Sequence, residues 1–196
     1  MAVAVVLRQW EVIFFAATAL LFSYVPRLIE RNYKVQLPIE FEIVIVTFVY
    51  AAIFLGEAED FYYRFWWWDL MLHTVSGVVL GFTAFLALYI LYSQKRLNAK
   101  PFVLSLFAFS FSLAVGALWE IGEFGLDRLF GLNTQKSGLS DTMSDLIVDA
   151  GGALVAALLG YIFLKRQQAN RGLLSRLIEN FFNNNPHLNG KSNGKR

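Results

Sequence analysis

Residues 140–164 read SDTMSDLIVDAGGALVAALLGYIFL. From Ala150 to Leu164 the stretch carries no charge, and most of those residues are apolar. A helix that crosses the hydrocarbon core of a bilayer needs about 20 mostly apolar residues. This stretch is long enough, yet it opens with Asp141, Asp145 and Asp149. Four more apolar runs precede it, at about 10–25, 39–56, 67–92 and 101–124. The run at 101 starts on Pro101, a residue suited to a first helical turn. The runs are continuous and do not alternate every second residue, which argues against a membrane β-barrel. The expected fold is an all-α integral membrane protein, a five-helix transmembrane bundle over residues 1–166.

Composition agrees. Of 196 residues, 57% are hydrophobic and 16% charged, against roughly 45–50% and 25% in an average soluble domain. Mean hydropathy is +0.49. A disordered chain, a coiled coil and an ordinary soluble enzyme are excluded. The chain has no cysteine, which excludes disulfides, thiolate metal sites and cysteine nucleophiles. It has two histidines, His73 and His187, so no three-histidine site can form. A net charge of +2 does not point to nucleic acid.

Lys and Arg placement sets the expected orientation. Arg8, Arg64, Arg128 and Lys136 fall on one side of the membrane, and the other thirteen basic residues fall on the opposite side. The richer side is cytoplasmic by this rule, so the N-terminus is expected outside and the C-terminus inside. The first run resembles a signal peptide in length but has no small-residue cleavage site, since Tyr24 and Pro26 flank Val25. Residues 167–182 place Leu173, Leu174, Leu177, Ile178, Phe181 and Phe182 at helical spacing. They are expected to form an amphipathic helix on the inner membrane surface, with a partner protein as the alternative cover. Residues 183–196 are polar and Asn-rich and are expected to be disordered.

The acids gather. Glu57, Glu59, Asp60, Asp69, Glu120, Glu123, Asp127, Asp141, Asp145 and Asp149 all fall at or near the expected outer face. His73 and Asp149 lie roughly 9 and 13 Å into their spans, at about 1.5 Å per residue. An acid in mid-membrane costs roughly 2.5–3.5 kcal/mol on insertion scales, so such groups face inward and are paired, protonated or bound to a cation. Asp69 and His73 share a helix face, as do Glu120 and Glu123. Asp141, Asp145 and Asp149 form a stripe of like charges that needs neutralising. A divalent cation, shared protons, or Arg64, Arg128 or Lys136 folding over would each do so. Carboxylates with one imidazole suit Mg²⁺, Mn²⁺ or Ca²⁺ better than Zn²⁺. The expected metal ligands are Asp69, His73, Glu120, Glu123, Asp141 and Asp145, with His73, Asp145 and Glu120 as the expected catalytic groups. Asp141 also suits a first-turn position beside the helix dipole, and His73 could simply bond Asp69 or a backbone carbonyl. The aromatic run Phe61–Trp68 reads as an interfacial belt. Gly151, Gly152, Gly77 and Gly81 are expected to let the third and fifth spans approach closely.

Three blocks carry a family resemblance: WWWDLMLHTVSGVVLGF, LWEIGEFGLDRLFG and SGLSDTMSDLIVDAGGALVAALLG. They resemble the YjdF-like bacterial inner membrane proteins, a family of unknown function, over about residues 50–165. A more distant likeness is to the VanZ-like membrane proteins. The resemblance implies the fold and a bacterial inner (plasma) membrane location, and it marks Asp69, His73, Glu120, Glu123, Asp141 and Asp145, but not a reaction. Separately, the Asp stripe resembles, over a short stretch, the Asp-x-x-x-Asp motifs of membrane transferases that act on diphosphate lipids.

Three functions are therefore expected to compete. One is a metal-assisted hydrolase or transferase acting at the outer leaflet on a lipid-linked envelope substrate. The second is a cation- or proton-binding transport protein. The third is a structural or accessory protein whose acids only fix helix packing. Membrane lipids are the expected surroundings in all three.

Overall fold

A computed structural model describes residues 10–166 and 173–188. Every element among them is helical. Helix α1 is Trp10–Tyr33, and α2 is Ile39–Val49, which runs on into a π-helical stretch, Tyr50–Ala58. Then come α3 (Phe61–Arg64), α4 (Trp68–Ser93), α5 (Pro101–Phe130) and α6 (Leu139–Lys165). Helix α7 is Leu173–Asn184, followed by a 3-10 turn at Pro186–Leu188.

Among the described residues, four helices are long and apolar enough to cross a membrane: Ile39–Glu57, Trp68–Ser93, Pro101–Phe130 and Leu139–Lys165. Without water in the bilayer core, a helix meets its own backbone hydrogen bonds, which is why apolar runs of this length become helices. The 27 residues of α6 rise about 40 Å, more than the roughly 30 Å hydrocarbon core. The chain is an all-α membrane protein.

The observed bounds differ from the expected spans in two places. The expected first span, 10–25, lies inside α1, which continues through Pro26 to Tyr33. Arg27, Glu30 and Arg31 crowd its last turns, and α1 is not among the four helices above. Helix α5 outruns its expected end at 124 by six residues. Nothing breaks it before Gly131, whose φ of +68° is the left-handed conformation that ends helices and that glycine adopts without steric cost. Gly131 N–H donates to the Asp127 carbonyl at 3.1 Å, closing the final turn.

The chain divides into two units. The first comprises residues 1–72 and 119–142. Within it α1 packs on α2, and the π-helical stretch packs on α3. A side chain at Gly56 would run into the Tyr62 ring, with Cζ at 2.8 Å, so the absence of one lets the ring lie against this stretch. The loop between α5 and α6 is tied by Asp127. Its carboxylate accepts from Thr134 N–H and Thr134 Oγ1, both at 2.7 Å, and from Gln135 N–H at 3.0 Å. Gln135 Nε2 in turn donates to Thr142 Oγ1 at 2.6 Å.

The second unit comprises residues 73–118 and 143–196. Its centre is the crossing of α4 and α6. A Cβ at Gly77 would lie 2.7 Å from the Asp149 carbonyl, and one at Gly81 would lie 2.7 Å from Ala156 Cβ. A Cβ at Gly152 would run into the Thr74 carbonyl and lie 3.0 Å from Val78 N. Gly152, Ala153, Ala156 and Gly160 are all buried, and small residues let helix backbones approach where lipid offers no hydrophobic drive. Gly151, expected to share this role, points into open space. Phe85, 1% exposed, stands over Gly160 and meets Phe163 edge-on at 6.2 Å.

The expected amphipathic helix is present as α7. Its apolar face packs on the chain itself: Ile178, Phe181 and Phe182 are buried, and Phe182 meets Tyr89 of α4 at 5.9 Å. Structure continues into the region expected to be a disordered tail. Asn183 and Asn184 finish α7, Asn185 is buried and donates to the Phe181 carbonyl, and Gln94 Nε2 donates to the Leu188 carbonyl at 3.0 Å. The rest of that expectation, 189–196, and the start of the expected interfacial helix, 167–172, lie outside the described residues.

Candidate functional site

His73 and Asp149 form the polar centre of the second unit. Asp149 is 1% exposed, and its Oδ2 lies 3.3 Å from His73 Nδ1. Ser76 Oγ lies 3.5 Å from Asp149 Oδ1 and donates to the His73 carbonyl at 2.8 Å. Three helices build this spot. Helix α4 supplies His73 and Ser76 one turn apart, α6 supplies Asp149, and α5 supplies Gly116. A Cβ at Gly116 would collide with Asp149 Oδ2 and lie 2.9 Å from its Cγ. Any other residue at 116 would therefore push the carboxylate aside. Ser112, one turn earlier, is buried and donates to the Gly77 carbonyl at 2.7 Å. That bond joins α5 to α4 at the same level.

The bond to Asp149 has a chemical consequence. A carboxylate that accepts from a histidine Nδ1–H orients the ring and makes Nε2 the nitrogen suited to ligate. A carboxylate behind a histidine is the usual way a ligating ring is oriented and its basicity raised.

Asp145 lies one turn before Asp149 on α6 and is buried, at 3% exposure. It and His73 each offer a ligand atom within 4.8 Å of the other. Asp69 lies one turn before His73 on the same helix. Within the second unit, His73 and Asp145 are a His/Asp pair that could contribute to holding a metal ion. The donors suit a hard divalent cation: the carboxylate supplies oxygen and negative charge, and the imidazole supplies nitrogen.

In the first unit, Asp69 has a partner. Lys136 Nζ lies 2.7 Å from Asp69 Oδ2 and 4.0 Å from the centre of the Tyr62 ring. Of the three basic residues expected to fold over the acids, Lys136 reaches one. Arg128 lies over the Phe124 ring instead, at 5.2 Å.

The other expected site residues belong to the first unit as well. Glu120 is buried at 3% exposure, and its carbonyl accepts from Gln135 Nε2 at 3.4 Å. The Glu123 carbonyl lies 3.2 Å from Thr134 Oγ1. Asp141 is half-buried in the first turn of α6. Among the acids, Asp149 is the one that sequence reasoning undervalued. The signal was present: Asp149 repeats the face of Asp145 and precedes the Gly152–Gly160 contact face by less than one turn.

Comparison with known proteins gives a family and no activity. Residues 1–166 match the family described as "Predicted membrane protein (DUF2238)". An "Uncharacterized protein" of Thermotoga maritima is 30% identical over 140 residues, which cover 71% of each chain. No solved structure matches.

Proposed function

Because the chain belongs to the DUF2238 family of membrane proteins, with which the YjdF-like likeness agrees, we propose that its work is done inside the membrane, by a divalent cation held on His73 and Asp145, with Asp69, one helical turn before His73 in sequence, as the further ligand that the spacing offers. The carrying observation is the Asp149–His73 pair, which presents an oriented imidazole beside a buried second carboxylate. When bound, such an ion supplies Lewis-acid polarisation and an activated water. The chain's own groups do the rest. Asp149 fixes the ring, Gly116 leaves it room, and Asp145 brings a charge that is costly at this depth unless neutralised. The reaction class is metal-assisted hydrolysis or transfer on a lipid-linked envelope substrate at the outer leaflet. The N-terminus is then outside and the C-terminus cytoplasmic, as the excess of Lys and Arg favours.

A second reading rests on Lys136. Its ammonium lies 2.7 Å from Asp69, so an internal cation already neutralises one of the three ligands. That favours a non-catalytic protein whose polar groups bind protons or a transported cation, or only fix packing.

One experiment separates the two. Metal content and thermal stability of the purified protein are measured with and without chelator, for wild type, His73→Ala, Asp145→Asn and Lys136→Gln. Stoichiometric divalent metal in wild type, lost in the first two variants and kept in the third, is the expected result. Absence of metal, with no response to Mg²⁺, Mn²⁺ or Ca²⁺ in wild type or in Lys136→Gln, overturns the cation site and leaves the proton-binding or packing role of the second reading.

A further inference from the structure

A second feature of the second unit has no part in the cation site. Between the first turns of α5 and the last turns of α6 lies a cavity of about 330 Å³. Its walls include Phe102, Leu106 and Phe109 on one side and Leu154, Leu158 and Tyr161 on the other. The lining is apolar, and Phe102, Leu106, Leu154 and Leu158 are about half exposed or more. Both helices are membrane-spanning by length and apolarity, so the opening meets lipid.

What lies at the cavity's end names the occupant. Phe163 near the end of α6 meets Tyr89 near the end of α4 at 5.2 Å. The start of α5 lines the same cavity as the end of α6. These three helix ends therefore share one level, and there the chain places Lys95, Arg96, Lys100, Lys165 and Arg166. Lys165 lies one turn beyond the cavity wall, its Nζ 5.8 Å from the Tyr161 ring. No Asp or Glu occurs in residues 93–119 or 150–178, so no nearby acid along these helices offsets the charge. An apolar slot in the span, capped by cations at the membrane surface, has the two-part chemistry of an anionic phospholipid. Basic pockets between membrane helices bind such headgroups.

We propose that this cavity holds an acyl chain of an anionic phospholipid from the Lys/Arg-rich leaflet, its phosphate met by Lys100, Lys165 and Arg166. Phosphate-only binding and a helix of a second copy are the competing occupants.

The test uses the full chain in detergent and native mass spectrometry with added phosphatidylglycerol or phosphatidylcholine. Two variants accompany wild type: Lys100→Gln/Lys165→Gln/Arg166→Gln, and Leu158→Trp, which fills the slot from an exposed position. Wild type should retain one phosphatidylglycerol at least tenfold better than phosphatidylcholine. Each charge removed should weaken it about fivefold, so the triple variant should lose the preference. Leu158→Trp should lose the lipid with its charges intact. Equal retention of both lipids by wild type overturns the proposal. So does full retention by Leu158→Trp, which would leave a charged surface without a slot. Displacement of the lipid by inorganic phosphate, or a dimer that Leu158→Trp dissociates, overturns it in favour of the other occupants.

Discussion

Replacing Gly152 by Ala adds one methyl group where α6 crosses α4. That methyl would run into the Thr74 carbonyl and lie 3.0 Å from Val78 N and 3.3 Å from Gly77 C. All three are backbone atoms of a helix, so no side chain can swing away and the helices must separate. Overpacking of this kind costs about 1–3 kcal/mol. An opposing term is present, because Gly to Ala inside a helix gains about 0.5–1 kcal/mol. Gly151→Ala takes the same gain and meets nothing within 4 Å. The difference between the two variants therefore isolates the overpacking term, about 1–3 kcal/mol, with Gly152→Ala the less stable. Reversible unfolding in mixed detergent micelles, with both variants beside wild type, measures it. Equal stability of the two would refute a close α4–α6 contact at Gly152, and with it the placement of Asp149 against His73.

Two further substitutions test neighbouring claims. Gly116→Ala forces Asp149 off its position, and loss of the carboxylate behind a ligating histidine typically weakens metal about 10–100-fold. Titration of Mn²⁺ into the variant should show that loss, while Gly122→Ala, on the same helix with nothing within 4 Å, should bind like wild type. Asp127→Ala removes the acceptor for the Thr134 and Gln135 N–H groups, at a cost of about 1–3 kcal/mol. Amide exchange should quicken at those two residues while the amides of α4 stay protected, and unchanged exchange at 134 and 135 would sink the account of the loop.

The spans were legible because bilayer thickness and backbone hydrogen bonding leave a long apolar run little choice but a helix. Their ends were less so. Phe124 reads as a stop in hydropathy, but a helix stops where its backbone does, at Gly131. The acid cluster was legible as a class and not as a set of pairs. That Asp69 and His73 share a helix face follows from periodicity. That Lys136 is on Asp69 and Asp149 is on His73 does not, because those contacts join residues 67 and 76 apart in sequence. Which of two adjacent glycines meets a neighbouring helix depends on the rotation of α6 about its axis, and periodicity does not supply that angle. For α7, amphipathicity identified the face that must be covered. It could not say that Tyr89 and the chain's own interior would cover it.

The Asp149–His73 pair also links the insertion of one helix to that of another. Helix α6 is made after α4 and must enter the bilayer carrying Asp149, at an insertion cost of roughly 2.5–3.5 kcal/mol for an acid near mid-membrane. That cost is relieved once α4 offers its imidazole and the two glycine faces close. A nascent chain whose α4 failed to insert would leave an acid facing lipid in α6. The pair thus couples the retention of the later helix to the correct insertion of the earlier one. Membrane quality-control proteases would meet a distinct, lipid-exposed carboxylate in any chain that skipped the step.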